Sequence, residues 1–209
     1  MNVHDLVKLN SIRASKFDRI LPEWAKDSLK TMPYVVIRRG KIKLIRGKKY
    51  LPIGIRGENR DKRFGCYMMK EKSDKVISPE QIVKEKMWTN SINVGLVQAV
   101  SQLDKIFSVW ENKLDWGLVG SVGYELATKR KATGCQSDLD LLIKPKSKMP
   151  ISQAKDLLDE LMKLTDLFKL LDLTIQTPKG LVNFKEYVIS KQKVLIKTNK
   201  GEKLVRNIW

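Results

Sequence analysis

The segment from residue 114 to residue 143 constrains this chain more than any other. An apolar run over residues 114–119 predicts a strand, Gly120 and Ser121 form a turn after it, and residues 122–128 suggest a short helix. A strand followed by a small turn and a helix start presents backbone N–H groups and the Ser121 hydroxyl where a phosphate can sit. The segment therefore predicts a phosphate-binding turn at Gly120 and Ser121.

Acidic residues follow this turn on a second predicted strand. The run Ser-Asp-Leu-Asp-Leu-Leu-Ile at residues 137–143 alternates at period two, so Asp138 and Asp140 share one face. Carboxylates ~6.6 Å apart along a strand can bracket a hard divalent cation. Acidic pairs on solvated strands are also common, but the Gly-Ser turn upstream favours a site.

Asp172 offers a third carboxylate. Residues 170–176 alternate in the same way, which places Asp172 on the polar face of a strand that could pair beside the first. A solvent-facing strand aspartate is the alternative interpretation. A phosphate-binding turn beside several carboxylates is typical of metal-assisted nucleotidyl transfer.

The formal net charge of +18 indicates a polyanionic partner. Residues 1–85 contain 21 Lys and Arg against 10 Asp and Glu, and residues 86–209 contain 20 against 13. Nucleic acid, a multiply phosphorylated small molecule and an acidic protein would all suit this charge. The chain interleaves no aromatic residues with its basic runs, which disfavours a base-stacking surface.

Residues 51–65 form the second unusual stretch. An apolar strand containing glycines is expected to deliver Arg56, Arg60 and Arg63 into a compact loop. Clustered guanidinium groups suit bidentate phosphate binding, although an ordinary solvated basic loop fits the composition equally well.

The remaining pattern predicts a mixed α/β (α+β) protein. We expect a β-rich run over residues 32–40 with residues 41–45 as the return strand of its hairpin, and a further turn over residues 47–50. We also expect a single helix over residues 151–168 with Met162 on its apolar face, and a last strand over residues 193–198. The expected domains are a basic, β-rich N-terminal domain over residues 1–85 and a second domain over residues 86–209. No apolar run reaches about 18 residues and no signal peptide is recognised, so a cytoplasmic protein is expected.

The arrangement Gly120-Ser121 followed by Asp138-Leu139-Asp140 resembles the nucleotidyltransferase superfamily. The gap between Ser121 and Asp138 is longer than in many of its members. The resemblance implies a nucleotidyltransferase-like mixed sheet with packed helices, a donor triphosphate at the Gly-Ser turn, and two Mg²⁺ ions held by Asp138, Asp140 and Asp172.

Further runs resemble one family within that superfamily, the phosphoribosyl-dephospho-CoA transferases, along nearly the whole chain. The runs are residues 3–6, 35–39, 51–57, 78–81 and 120–142. The resemblance implies transfer of phosphoribosyl-dephospho-CoA from 2′-(5″-triphosphoribosyl)-3′-dephospho-CoA to a serine of the acyl carrier subunit of malonate decarboxylase, with release of diphosphate. Our candidates for donor phosphates are Arg38, Arg39, Arg56, Arg60 and Arg63.

Other functions remain open from sequence. Another Mg²⁺-dependent nucleotidyltransferase would use ATP or CTP on a protein, small-molecule or RNA acceptor. A nucleic-acid-binding module with a degenerate transferase fold would bind polynucleotides in a salt-dependent manner and would not need Asp138.

Overall fold

The structure is a computed structural model that describes residues 1–13, 15–58, 61–69, 74–91, 93–134, 137–190 and 192–209, with only the backbone of residue 90. The chain divides into two compact units, Met1–Ser78 and Pro79–Trp209. Both helices and sheets are present, which confirms the mixed α/β class.

The first unit is a sheet with one helix against it in the described residues. Its elements are β1 (Leu6–Lys8), α1 (Glu23–Thr31), β2 (Tyr34–Ile37), β3 (Lys43–Ile45), β4 (Lys48–Arg56), β5 (Arg63–Met69) and β6 (Lys75–Ile77). The strands run in the order β3-β4-β2-β1-β6, and β5 pairs with β4. Pairing is antiparallel throughout these strands.

One face of this sheet forms the core of the first unit. Alternate residues of the strands point into it, among them Val35, Ile53 and Cys66, and Ala25 and Leu29 of α1 cover them. Burial raises the pKa of the Cys66 thiol to about 12, so this cysteine is a packed core residue. The opposite face of β2, β4 and β5 is therefore available for other roles.

The expected hairpin was wrong about the strand with which residues 41–45 pair. Strand β3 does not return along β2 but pairs with β4, through a turn at Arg46 and Gly47 in which both residues have positive φ. Residues 48–50, expected in a turn, are the start of β4. Alternation of basic and apolar residues predicts a strand but does not say which neighbour it pairs with.

The second unit is a mixed sheet with helices packed against it. Its elements are α2 (Pro79–Lys84), a 3-10 helix (Met87–Asn90), α3 (Val94–Ser108), β7 (Leu114–Leu118), α4 (Gly120–Thr128), β8 (Leu139–Pro145), α5 (Ile151–Met162), α6 (Asp166–Lys169), β9 (Leu171–Thr177), β10 (Gly180–Asn183), α7 (Phe184–Ile189), β11 (Val194–Thr198) and β12 (Gly201–Val205). The strand order is β12-β11-β10-β9-β8-β7.

Within this sheet, β8 and β9 run parallel, and β7 is antiparallel to β8. A parallel pair needs a crossover connection, which α5 and α6 supply. On the other side of β8, α3 packs against β7, where Phe107 stacks on Trp116 with ring centroids 4.6 Å apart. The next residue of β7, Gly117, faces the other way and meets α2, so helices lie on both faces of the sheet.

Three expectations about the second unit were wrong in detail. The single helix expected over residues 151–168 is divided into α5 and α6, because Thr165 adopts a φ of +45° that a continuing helix cannot contain. Met162, expected on the apolar face, is 51% exposed. The strand expected at residues 193–198 is present as β11, but β12 follows it and forms the edge of the sheet.

In the part of the chain that the structure describes, no helix is long and apolar enough to cross a membrane.

Gly117 is the position where α2 meets the sheet. A Cβ atom at this residue would lie 2.4 Å from the carbonyl carbon of Pro79 and 2.7 Å from the backbone nitrogen of Glu80. We therefore expect Gly117→Ala to lower the free energy of unfolding by about 1–3 kcal/mol, because backbone atoms must move to admit the methyl group. Urea-induced unfolding measures this change.

Gly134→Ala is the matched control, since none of the described residues beyond its chain neighbours has an atom within 4 Å of the added carbon. It should alter the free energy of unfolding by no more than about 0.5 kcal/mol. Equal losses in the two variants would contradict the account of Gly117.

Candidate active site

The turn between β7 and α4 is built on glycine. Val119 is extended, and Gly120 begins α4 with a φ of +65°, in the left-handed region that glycine enters without steric penalty. A Cβ at Gly123 would lie 2.4 Å from the Leu118 carbonyl oxygen, so the helix starts directly against the end of β7. Ser121 lies in the first helical turn, where N–H groups have no helical acceptor.

The carboxylate of Asp140 lies against this turn. A Cβ at Gly120 would be 1.7 Å from Asp140 Oδ2, which shows how closely the carboxylate approaches the Gly120 backbone. The Val119 N–H also donates to the Asp140 carbonyl oxygen at 3.0 Å, so the end of β7 stays paired with β8. The structure therefore brings the Gly-Ser turn and Asp140 together.

Asp172 stands beside Asp140. The parallel register of β8 and β9 pairs these two residues directly, and neighbouring strands are about 4.8 Å apart. Leu141 and Leu173, the next pair along, are fully buried, so both aspartates lie on the sheet face opposite to these leucines. Asp140 is half-buried and Asp172 is exposed, so Asp172 is the more accessible of the two to solvent.

Asp138 lies just before β8 and is exposed. The Leu139 N–H donates to the Leu170 carbonyl oxygen at 2.9 Å, so regular pairing with the neighbouring strand begins immediately after Asp138. The structure thus places Asp138 just before the start of β8, outside the pair that Asp140 forms with Asp172.

A preformed three-ligand metal site is absent from the described residues, since no three His, Cys, Asp or Glu side chains there gather closely enough to hold an ion. The pair formed by Asp140 and Asp172 fits Mg²⁺ in another way. Magnesium is commonly bound through one or two carboxylates, with water and substrate phosphates completing its octahedron. The donor set is therefore of the right chemistry for a magnesium ion shared with a phosphorylated ligand.

A loop leads from α4 to these carboxylates, and Glu125 holds it. Glu125 Oε2 accepts hydrogen bonds from the Ala132 N–H (2.8 Å), the Thr133 N–H (2.8 Å) and the Thr133 hydroxyl (2.7 Å). Burial raises the pKa of Glu125, but these hydrogen bonds and the charge of Lys131 outweigh it, so the net pKa lies below the usual range. Sequence analysis missed this residue, because a lone glutamate in a helix gives no signal of the loop it will bind.

The predicted arginines lie in the first unit, and the structure brings some of them together. Arg38, Arg56 and Arg63 line a pocket of about 300 Å³ on the outer face of the sheet. Arg56 and Arg63 were expected in a loop. Instead Arg56 ends β4 and Arg63 begins β5, and the two residues pair directly. Arg39 follows β2, is half-buried, and is not among the described residues that line the pocket. Arg60 lies outside the described residues.

Comparisons with known proteins identify the family. The model of the phosphoribosyl-dephospho-CoA transferase MdcG C-terminal domain matches residues 86–208, and that of the MdcG N-terminal domain matches residues 2–79. A phosphoribosyl-dephospho-CoA transferase of Azotobacter vinelandii is 30% identical over 99% of this chain and 93% of its own length. One of Klebsiella pneumoniae is 28% identical over 99% and 95%, and one of Pseudomonas putida is 29% identical over 90% and 86%.

These relatives are transferases by name, and the class of this protein is accordingly that of a transferase enzyme. The chain belongs to the phosphoribosyl-dephospho-CoA transferase family, which confirms the resemblance drawn from its sequence runs. No solved structure matches the chain.

The bonds of Glu125 predict a pH-dependent contribution to stability. Because the pKa of this carboxyl is depressed in the folded state, its contribution is fully present above the ordinary glutamate pKa, about 4.3, and is lost as the pH falls through the lower folded value. Glu125→Gln should lower the free energy of unfolding by about 1–2 kcal/mol at pH 7, and the difference from the unmodified chain should shrink below pH 4. Urea unfolding between pH 3 and pH 7 measures this.

Asp159→Asn, at an exposed carboxylate on α5, serves as the control. Its difference from the unmodified chain should stay small at every pH. A Glu125→Gln effect that did not diminish on acidification would show that the bonds do not depend on the charge.

Proposed function

We propose that this protein transfers phosphoribosyl-dephospho-CoA from 2′-(5″-triphosphoribosyl)-3′-dephospho-CoA to a serine of the acyl carrier subunit of malonate decarboxylase, releasing diphosphate. Membership of the family supports the donor. The observation that carries the chemistry is the direct pairing of Asp140 with Asp172, beside the Gly120 turn. Carboxylates next to a helix start are a common setting for phosphoryl-group chemistry.

In the proposed reaction the acceptor serine oxygen attacks the α-phosphorus of the donor. A bond forms between these atoms, and the bond from the α-phosphorus to the bridging oxygen of the leaving diphosphate breaks. The N–H groups at the start of α4 and the Ser121 hydroxyl bind the triphosphate oxygens. Asp172, the more exposed of the paired aspartates, orients the serine hydroxyl and accepts its proton.

Asp138, Asp140 and Asp172 are the proposed metal ligands, with Asp140 and Asp172 as the central pair. When bound, Mg²⁺ supplies positive charge that lowers the energy of the leaving diphosphate. Asp138 joins this set from its exposed position before β8. Two ions are proposed, as the superfamily resemblance implies.

The acyl carrier partner is proposed from charge. The protein carries a formal net charge of +18, and carrier proteins are usually acidic, so complementary fields would speed their encounter. Salt should therefore slow the reaction with the carrier by lowering the association rate.

The direct test is the intact mass of the acyl carrier subunit after incubation with this protein, Mg²⁺ and triphosphoribosyl-dephospho-CoA. We expect a mass increase equal to the complete prosthetic group, together with release of diphosphate. Asp140→Asn and Asp172→Asn should each slow the modification by on the order of 10²-fold or more, because each removes a charge at the reacting phosphates.

Asp159→Asn removes a carboxylate elsewhere in the same unit and should leave the rate unchanged. A reaction with ATP or CTP alone tests the broader alternative. A nucleotide-sized increase from ATP, or no increase at all, would refute the proposed donor, and full activity in both aspartate variants would refute the proposed site.

Gly120→Ala tests the closeness of the turn to Asp140. The backbone of an alanine would be strained at a φ of +65°, and its methyl group would meet Asp140 Oδ2 at 1.7 Å, so the carboxylate must move. Because displacements near 1 Å at a reacting centre can cost about 10²-fold in rate, we expect a loss of that order. The mass assay gives the rate, and urea unfolding reports whether the fold persists.

Gly95→Ala is the matched control, since its added carbon makes only an ordinary 3.6 Å contact and lies on helix α3. It should retain full activity. If Gly120→Ala were equally active, the approach of Asp140 to the turn would have no part in the reaction.

A further inference from the structure

The pocket in the first unit lies on the sheet face that the core leaves free. Val36 on β2 pairs with Gly54 on β4, and Gly54 pairs with Gly65 on β5, so these residues form one row across three strands. Their neighbours Ile53 and Cys66 point the other way, into the core. The described lining comprises Val36, Arg38, Gly54, Ile55, Arg56, Arg63, Phe64 and Gly65.

The glycines form a floor over which Arg38 lies. A Cβ at Gly65 would be 1.8 Å from Arg38 Nη1, and one at Gly54 would be 3.1 Å from Arg38 Cδ. Neither glycine has a φ in the left-handed region, so backbone conformation does not require glycine at either position. The absence of a side chain instead leaves room for Arg38, whose guanidinium group lies directly over Gly65.

The next pair on the same face is Arg56 and Arg63, which are directly opposed. Like charges in this position destabilise a sheet. The hydroxyl of Ser28, on α1, donates to the Arg56 carbonyl oxygen at 2.5 Å. This bond holds the backbone at the end of β4, where Arg56 is paired with Arg63. None of the described lining residues is acidic. An anion bound between the two guanidinium groups would accept charge-assisted hydrogen bonds from both.

The arrangement favours one class of anion. Guanidinium groups bind phosphate oxygens in a bidentate manner, so three that line one pocket can engage more than one phosphate group. A pocket of about 300 Å³ is at the lower end of the size range for small-molecule sites. A diphosphate group matches both the number of donors and the volume.

We propose that this pocket binds the diphosphate group of an organic ligand, as a site additional to the aspartates of the second unit. Dephospho-CoA carries such a group, between its adenosine and its pantetheine. That the ligand is this part of the donor rests on the proposed function, whereas the affinity of the pocket for a diphosphate does not.

The test is isothermal titration of the full chain at 0.15 M salt (about an 8 Å screening length) with EDTA present, so that metal ions at the carboxylates do not contribute. The probes are dephospho-CoA and inorganic diphosphate. Both should bind, and dephospho-CoA should bind more tightly. Tighter binding of inorganic diphosphate would overturn the assignment to the donor, and binding of neither would overturn the site.

Variants locate the binding. Gly65→Ala should weaken it by about tenfold or more, because the methyl group displaces the Arg38 guanidinium, and Arg38→Gln should do the same. Gly54→Ala should have a smaller effect, since the contact at Arg38 Cδ requires a shift of only a few tenths of an ångström. Thermal unfolding checks that each variant is folded.

Lys49→Gln is the charge-matched control, because it removes one positive charge from β4 outside the pocket. If it weakened binding as much as Arg38→Gln, the affinity would be a non-specific effect of net charge and the proposal would be wrong.

Asp172→Asn separates this proposal from the proposed function. It should slow transfer by on the order of 10²-fold or more and leave the affinity for dephospho-CoA unchanged. If transfer does not occur with any donor, but diphosphate binding still depends on Arg38 and Gly65, the pocket stands and only its assignment to the donor fails. Loss of binding in Asp172→Asn would place the probe at the aspartates and overturn the proposal.

Discussion

The parallel pairing of β8 with β9 is the constraint on which the candidate active site depends. It sets Asp140 beside Asp172, residues that are 32 positions apart in sequence. The face on which both aspartates lie is set by buried side chains of the opposite face, Leu139, Leu141 and Ile143 on β8 and Leu171, Leu173 and Ile175 on β9. A slip of one residue would turn these side chains outward, so hydrophobic packing keeps the two carboxylates on the same face of the sheet.

The same packing explains what sequence could predict about the site. Alternation of apolar and polar residues predicted both strands and put the aspartates on the faces opposite to the buried leucines. It did not give the register, because many alignments of two alternating strands keep the same residues buried. It also did not show that Asp138 would precede β8 while Asp140 joined the pair, since the start of pairing depends on the backbone of β9.

Other features depended on tertiary contacts that local pattern does not encode. The sequence does not distinguish Glu125 from other helical glutamates. Its carboxylate nevertheless accepts three hydrogen bonds from the loop that leads to the aspartates. The partner of β3 was misassigned for a related reason, because a strand pattern is compatible with either neighbour. Leu142 is fully buried on the same face of β8 as Asp140, because it pairs with Gly117, where α2 packs against the sheet.

Glycine marks the points where close approach matters in both units, and it does so for different partners. At Gly117 the partner is the backbone at Pro79, at Gly120 it is the carboxylate of Asp140, and at Gly65 it is the guanidinium of Arg38. The sequence shows where each glycine lies, but it does not reveal which group approaches it. Only at Gly120 does a positive φ add a conformational reason. At Gly65 the approaching group is the flexible end of a charged side chain, on the sheet face opposite the core. The room that this glycine leaves is what the proposed diphosphate site uses, because it lets the Arg38 guanidinium group line the same pocket as Arg56 and Arg63.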